Sequence, residues 1–367
     1  MPSGFLTLII FLLALTTMIL VHEFGHFIAA RLFKIEIEEF GLGIPSYRLA
    51  TLFKWKGTEF TIHALPLGGF VRPKGENDPS IEGGLAAANP WKRLVVLFSG
   101  PLMNLLTAVL VFAILIGMTG MPASGPIGIA NVSPGSPAEQ AGFISGDTII
   151  AIDGTRITDV DQAIARIQAS LDSPLQIEIE RTGESLILTA TPLSSRPEEE
   201  GALGIGLMPA TRPATFGEIT LGALTITGLQ AAAILYLPFA LIGGVIAPQD
   251  ARVVGFKGIF DMFNVAVQED VQSRQGTGGA APPQPPSNWT LNLIGILSVT
   301  LGVMNLLPIP ALDGGRIMFT LPEILFRRRI PPQLENVVNG LAMMLLIALL
   351  LFVNLMDFIK PAEIPFP

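Results

Sequence analysis

Cysteine is absent from the 367 residues, and charged residues make up only 14% of them. Without thiolates the chain can form neither a disulfide framework nor a cysteine metal site, so any metal must be held by His, Asp or Glu. A formal net charge of −8 and few Lys and Arg leave no basic surface for nucleic acid. Half of the residues are hydrophobic. This balance predicts a membrane protein.

Four apolar runs are long enough, as helices, to cross most of the hydrocarbon core of a bilayer: 4–21, 94–118, 291–307 and 337–358. No Lys or Arg precedes the first run and no small-residue cleavage site follows it, which disfavours the alternative of a signal peptide. A fifth apolar stretch, 216–247, contains Gly, Thr and Pro, and we expect it to lie along the membrane or pack against the spans. A re-entrant hairpin or a fifth crossing is the alternative.

The positive charges of the chain predict its topology. They are concentrated between the first and second spans and between the third and fourth: Arg31, Lys34, Arg48, Lys54, Lys56, Arg72, Lys74, Lys92, Arg93, Arg316, Arg327, Arg328 and Arg329. By the positive-inside rule both loops are cytoplasmic, and the N-terminus and residues 120–290 are outside. Four crossings satisfy this pattern.

Residues 125–193 have the turns, charges and alternating patterns of a small soluble domain. Ser136 and Glu139 predict a capping box for a short helix, and Thr158 is predicted to cap a second helix before two alternating strands. The segment is similar to a PDZ domain, a resemblance that implies binding of an extended peptide beside a sheet edge. The alternative is a scaffold domain that binds nothing.

We therefore predict a polytopic α-helical membrane protein of about four transmembrane helices with an inserted small α+β, PDZ-like domain. The predicted domains are a first catalytic membrane part, the PDZ-like domain, a membrane-associated segment with a linker, and a second catalytic membrane part, at 1–120, 121–195, 196–290 and 291–367. The polar, Gly- and Pro-rich residues 268–288 predict a disordered linker.

The HEFGH motif follows directly on the first apolar run. His22 and His26 are four residues apart, so on a helix both imidazoles face the same side and can share a metal ion, while Glu23 can act as general base. The alternative is a pair of histidines hydrogen-bonded between helices. His63 has no partner at ligand spacing and is predicted to be structural.

A tetrahedral catalytic zinc site needs a third protein ligand and keeps its fourth position for water. Asp313, in NLLPIPALDGGR, is the candidate, since it lies at membrane depth beyond a helix that Pro308 and Pro310 break. Gly314 and Gly315 are predicted to let the backbone turn so that the carboxylate points inward. The local alternative is an Asp-Gly turn that merely ends a helix.

HEFGHFIAAR, the FSGPLMN stretch at 98–104, NLLPIPALDGGR and the PDZ-like segment together resemble the site-2 protease family of intramembrane metalloproteases, in its bacterial or plastid branch. The resemblance implies that His22, His26 and Asp313 bind Zn²⁺ and that Glu23 acts on the water. It also marks Asn305 and Asn104 as candidate substrate-binding residues, with the alternative that Asn305 satisfies carbonyls of a broken helix.

Residues 40–72 resemble the membrane-associated β-loop of that family, which could offer an edge to an unwound substrate. One departure is GFKGI at 255–259, where the family pattern leads us to expect a Gly-Pro pair.

These observations predict an intramembrane zinc metalloprotease that hydrolyses peptide bonds of transmembrane protein substrates in regulated intramembrane proteolysis. The expected surroundings are a bacterial inner membrane or a plastid membrane, with the active site near the cytoplasmic or stromal side and the PDZ-like domain, with its peptide or protein ligand, on the other. The alternative is a non-proteolytic zinc-binding scaffold or sensor. A third reading, a metal transporter, predicts acidic or His residues on several facing spans, but only Asp313 and the HEFGH residues lie at membrane depth.

Overall fold

A computed structural model of the protein describes residues 3–65, 68–122, 125–195, 201–209, 211–245, 253–275 and 287–361. The chain divides into two compact units. The first comprises Met1–Leu115, Thr220–Gln268 and Asn288–Pro367, and the second comprises Ile116–Ile219 and Glu269–Ser287. Every candidate site residue named above lies in the first unit.

The first unit opens with a long helix, a small sheet and a second long helix. These elements are α1 (Ser3–Leu32), β1 (Ile37–Leu42), β2 (Arg48–Trp55), β3 (Thr58–His63), β4 (Gly69–Pro73) and α2 (Pro90–Thr119). The strand order is β2-β3-β1-β4, with β1 parallel to β3 and the other pairs antiparallel. Strand β4 is therefore one edge of the sheet. Side chains from the end of α1, from β1 and from the start of α2 form a common core that includes Phe27, Ile37 and Val96.

Glu39 on β1 is a charged residue inside this sheet, only 2% exposed. Thr61 and Arg48 donate to its Oε1 at 2.7 and 2.8 Å, and Nη1 of Arg72 is 2.8 Å from Oε2. Nε2 of His63 lies 3.2 Å from Oε1, so His63 contributes to the sheet interior. Burial alone would raise the pKa of Glu39, but these hydrogen bonds and the two guanidinium charges outweigh it and hold the pKa below its ordinary value.

A depressed carboxyl pKa makes the sheet acid-sensitive. The stabilisation is fully present above the unfolded-state pKa, near 4.3 for Glu, and is lost as pH falls through the lower folded-state value. We expect hydrogen-exchange protection factors of β1 and β3 to fall below about pH 4 in the wild type. In Glu39→Gln they should be lower and independent of pH, whereas Glu38→Gln, an exposed neighbour, should behave as wild type. An equal acid-induced drop in Glu39→Gln would assign the effect to another group.

The second unit is built around a six-stranded sheet. Its elements are β5 (Met121–Pro122), β6 (Ile127–Val132), α3 (Pro137–Gln140), β7 (Thr148–Ile152), β8 (Thr155–Arg156), α4 (Val160–Ala169), β9 (Leu175–Arg181), β10 (Glu184–Ala190), β11 (Ile205–Met208) and β12 (Thr211–Arg212). The main path of the sheet is β10-β9-β7-β6-β11, and β5 pairs with β12 separately. Alternate Ile residues of the strands are fully buried and form the core.

Both helices predicted in this unit form, with one change of cap. Ser136 accepts from the backbone N–H of Glu139 at 3.2 Å, as predicted, whereas the Glu139 carboxylate accepts at 2.6 Å from the N–H of Gly135, one residue before the N-cap that a capping box requires. At α4 the N-cap is Asp159 and not Thr158, since Asp159 accepts from the N–H of Gln162 at 2.8 Å. Aspartate is the stronger N-cap residue, which explains the shift by one position.

Strand β11 belongs to the sheet although it lies beyond the predicted domain boundary at 195. It pairs antiparallel with β6 and forms one edge of the sheet within the described residues. Only four residues long, it carried too short an alternation to be predicted as a strand.

Five further helices lie wholly or mainly in the first unit: α5 (Phe216–Ile242), α6 (Phe256–Gln275), α7 (Trp289–Leu306), α8 (Asp313–Phe326) and α9 (Pro332–Ile359). Among the described residues, five helices are long and apolar enough to cross a membrane, namely α1, α2, α5, α7 and α9. In α9 only 6% of the most apolar window is buried, so its apolar side chains need an apolar solvent. Helix α5 is the stretch predicted to lie along the membrane, and its length and composition also fit the alternative of a fifth crossing.

The first part of the predicted linker 268–288 is helical. Residues 268–275 continue α6, which corrects the prediction, and 276–286 lie outside the described residues. The polar run QEDVQSRQ contains Gln, Glu and Arg, which are good helix formers, and it has no Gly or Pro before position 276.

The GFKGI stretch forms the start of α6 and is held by Asp357 of α9, which is fully buried. The N–H groups of Gly255 and Gly258 donate to Oδ2 of Asp357 at 2.8 and 3.2 Å. A β-carbon at either glycine would lie 3.0 Å from that oxygen. These two glycines therefore let a carboxylate cap the helix N-terminus.

Candidate metal centre and catalytic site

Two histidines of α1 and the first residue of α8 converge. Nε2 of His22 and Nε2 of His26 are 3.2 Å apart, and Oδ2 of Asp313 is 3.0 Å from the first and 3.3 Å from the second. The side chains are 9%, 12% and 15% exposed, respectively. Among the described residues no other group of three or more His, Asp or Glu could hold a metal ion.

The spacing of these three atoms fits a zinc ion. Tetrahedral Zn²⁺ with N and O ligands at 2.0–2.1 Å places neighbouring ligand atoms about 3.3 Å apart. The observed separations of 3.0–3.3 Å match that edge length. Three ligands occupy three vertices and leave the fourth free, which is the pattern of catalytic sites.

The segment between α7 and α8 brings Asp313 to the histidines. After α7 ends at Leu306, the backbone turns through Ala311, which has a φ of 75° and donates its N–H to Oδ1 of Asn339 at 3.0 Å. Leu312 is extended, and Asp313 starts α8. Asn339 of α9 therefore holds a strained residue two positions before the ligand.

Gly314 and Gly315 are required for space and not for a turn. Both lie inside α8 with negative φ, contrary to the predicted turning role. A β-carbon on Gly314 would overlap the carbonyl groups of Leu306 and Leu307, and one on Gly315 would lie 2.7 Å from Cα of Pro310. The two glycines thus let α8 pack on the segment that precedes it.

Two further glycines let α1 and α2 pack closely at the histidines. A β-carbon on Gly25 would be 2.8 Å from Cγ of Met103, and one on Gly100 would be 2.9 Å from Nε2 of His22 and would overlap the ring of His26. The sequence analysis predicted no role for Gly25 or Gly100. The available signal was a glycine inside each motif, HEFGH and FSGPLMN, in otherwise bulky apolar helices.

Helix α2 also contacts one of the two histidines, His26. Nδ1 of His26 lies 2.8 Å from the carbonyl oxygen of Val96. A carbonyl can only accept, so Nδ1 carries the proton and Nε2 presents its lone pair to the centre. This is the usual support of a metal-binding histidine.

Asn104 lies behind the other histidine. It is fully buried, and its Nδ2 is 3.2 Å from Nδ1 of His22. Substrate contact was the predicted role for Asn104, and its position behind His22 favours a different one.

Glu23 is half-buried and interacts with the edge of the small sheet. Its Oε2 accepts from the backbone N–H of Val71 on β4 at 3.0 Å. Neither side chain oxygen of Glu23 belongs to the three-atom ligand set. Glu23 follows His22 directly on α1, and a carboxylate outside the ligand set stays free to act as a general base.

Arg316, one turn after Asp313, fastens α8 to the loop after β4. Its guanidinium is 2.5 Å from Oε1 of Glu76 and donates to Oδ1 of Asn77 at 3.0 Å. Burial alone would lower the pKa of Arg316, but the charge of Glu76 outweighs this and raises it. In the sequence analysis Arg316 served only to predict topology. Its contacts with Glu76 and Asn77 could not be predicted, because they join segments far apart in the chain.

Asn305 lies in the last turn of α7, half-buried, and its side chain has no hydrogen-bond partner among the described residues. Both predicted roles for it stay open.

The chain is similar to known metalloproteases along nearly its whole length. The model of peptidase family M50 matches residues 10–349. A candidate zinc metalloprotease of Clostridium perfringens is 33% identical over 353 residues, covering 95% of this chain and 98% of its own. A candidate zinc metalloprotease of Campylobacter jejuni is 32% identical, covering 94% and 91%, and the metalloprotease MmpA of Caulobacter vibrioides is 28% identical, covering 95% and 94%.

Among solved structures, the PDZ domain of an SdrC-like protein from Listeria monocytogenes matches 22% of this chain and 85% of its own at 18% identity. The TM-score is 0.20, too low to identify a fold.

Proposed function

The chain belongs to peptidase family M50, and from that premise we propose that it cleaves transmembrane proteins within or at the edge of the bilayer, with His22, His26 and Asp313 holding Zn²⁺ and Glu23 as general base. It is a zinc metallopeptidase of the site-2 protease type and an integral membrane protein. The observation that carries the proposal is the triangle of ligand atoms, 3.0–3.3 Å on a side, at the end of an apolar helix.

Each residue has a definite task in this mechanism. Zinc at this site would supply Lewis-acid chemistry, since it polarises a carbonyl and lowers the pKa of water. Glu23 takes the proton from water as the water oxygen attacks the scissile carbonyl carbon, and then gives that proton to the amine as the C–N bond breaks. Asn305 is proposed to hold substrate backbone or the developing oxyanion.

The proposed substrate class follows from the surroundings of Glu23. The base lies on an apolar helix and is bonded to β4, the edge strand of the small sheet. A helical peptide bond is shielded by its own hydrogen bonds, so a transmembrane substrate helix must unwind before it is cut. The unwound, extended substrate segment can then pair with an edge strand. By the charge pattern, this end of α1 faces the cytoplasm or stroma, and the domain at 121–195 faces the other side.

Fragment mapping tests the substrate class. Membrane proteins from cells carrying the wild type or Glu23→Gln are compared by mass spectrometry of neo-termini. We expect wild-type-dependent cuts to fall inside or within a few residues of apolar spans of other proteins. Cuts confined to soluble loops would contradict the intramembrane substrate and leave the metallopeptidase activity standing.

A groove in the second unit supports the proposed peptide partner. It measures about 740 Å³ and lies between α4 and β11, lined by Ile164, Leu171 and the residues of 201–207. Ile164 and Leu171 are 41% and 39% exposed, although they continue the apolar face of α4. An extended peptide could add as a strand beside β11 and place side chains against these residues, as PDZ-like domains do.

Substitution at the groove tests this partner. In the full-length protein, Ile164→Lys should weaken capture of peptides from a displayed library by about tenfold or more, since a charge replaces apolar contact area. The matched control is Ile187→Lys on β10, where the side chain is 67% exposed and away from the groove. Equal losses in the two variants would show that the groove is not the peptide site.

A further inference from the structure

Asn104 is the one polar side chain of α2 that faces a proposed zinc ligand and has no task in the mechanism above. It is fully buried, and its Nδ2 lies 3.2 Å from Nδ1 of His22. Its Oδ1 has no hydrogen-bond partner among the described residues. No second bond therefore fixes which end of the amide points at the imidazole.

The chemistry of a metal-binding imidazole decides the orientation. Nε2 of His22 points at His26 and Asp313, so Nε2 must carry the lone pair if His22 binds zinc. A neutral imidazole has one N–H, which then sits on Nδ1 and needs an acceptor. An amide NH₂ is a donor, so it would oppose a second donor across 3.2 Å.

A half-turn of the amide resolves the conflict without moving the backbone, because the oxygen and nitrogen of an Asn side chain are nearly equal in size. The half-turn replaces a donor–donor contact by one hydrogen bond, and the unpartnered end of the amide changes from oxygen to nitrogen.

We propose that Asn104 is a positioning residue of the metal centre: in the zinc-bound enzyme its Oδ1 accepts the Nδ1–H of His22 and fixes the tautomer that ligates zinc through Nε2. This inference rests on the proposed metal centre. It makes α2 the support of both histidines, because Val96 serves His26 in the same way. The backbone carbonyl of Asn104 accepts from Ser298 of α7 at 2.8 Å, which ties this support to the helix that leads to Asp313.

Zinc affinity of the purified full-length protein tests the role. Asn104→Leu keeps a similar volume without an acceptor, and loss of such a partner weakens metal affinity about 10–100-fold. Asn104→Asp keeps an acceptor and should bind zinc within a few-fold of wild type. Wild-type affinity in Asn104→Leu, or an equal loss in both variants, would overturn the proposal. A wild type that binds no zinc would instead overturn the metal centre itself.

Imidazole ¹⁵N NMR of the zinc-loaded wild type provides a second reading that no folding defect can obscure. The chain has only three histidines, so the spectrum is simple. Two of them should show a metal-bound Nε2 and a protonated Nδ1. If either zinc-bound histidine instead binds the metal through Nδ1, or lacks a proton on Nδ1, the proposed hydrogen bond is excluded.

Discussion

Replacing Glu23 with Gln should lower the turnover of a purified substrate by about 10²–10⁴-fold, the usual contribution of a general base. Zinc content should remain at one ion per chain, since Glu23 supplies none of the three proposed ligand atoms. An amide can still accept the hydrogen bond from Val71 but cannot take a proton from water. The measurement is turnover against zinc stoichiometry in the same preparation.

Glu38→Gln is the matched control, because Glu38 is exposed and belongs to neither the ligand set nor the Val71 contact. Retained turnover in Glu23→Gln would remove the base assignment. Loss of zinc together with activity would make Glu23 a structural part of the centre. Zinc binding without any hydrolysis by the wild type would favour the scaffold or sensor.

Substituting Ala for Gly100 should strongly weaken zinc binding. The new methyl group would overlap the His26 ring and lie 2.9 Å from Nε2 of His22, inside van der Waals contact. Either the imidazoles or α2 must move, and a displacement of about 1 Å is enough to disrupt a metal site. We expect zinc affinity to fall at least about 100-fold and turnover to fall with it.

Gly117→Ala in the same helix separates this clash from helix propensity. There the added β-carbon would meet only Cδ1 of Ile219, at 3.9 Å, an ordinary contact. Both substitutions gain about 1 kcal/mol of helix propensity, so a loss seen only at Gly100 must come from the crowded histidines. Similar zinc affinity in the two variants would mean that α2 does not pack against them as described.

The parts of the site that sequence could predict are those carried by side-chain spacing. His22 and His26 share a helix, so a separation of four residues suffices to place them together. Asp313 could be named because a lone carboxylate at membrane depth is expensive without a partner. Long apolar runs likewise predict long helices, although α1 continues eleven residues beyond its apolar run, to Leu32, and so carries the HEFGH motif within the helix.

The remaining parts depend on how helices pack, which no local pattern encodes. Gly25 and Gly100 matter because the backbones of α1 and α2 approach each other closely. In the sequence alone, each glycine indicates only a lower helix propensity. The turn before α8 depends on Asn339, from a helix that begins later in the chain. Strand β11 and the helical residues 268–275 were missed because short or polar segments give little periodic signal.

The bond between Glu23 and Val71 has a consequence for mutational tolerance. The donor is a backbone N–H, present in every residue except proline. Position 71 should therefore accept other β-branched residues without disturbing the carboxylate, and a scan that varies only side chains would class the position as dispensable. The orientation of the proposed general base is thus unaffected by most point substitutions in β4, and only a substitution that removes the N–H, to proline, would reveal the contact.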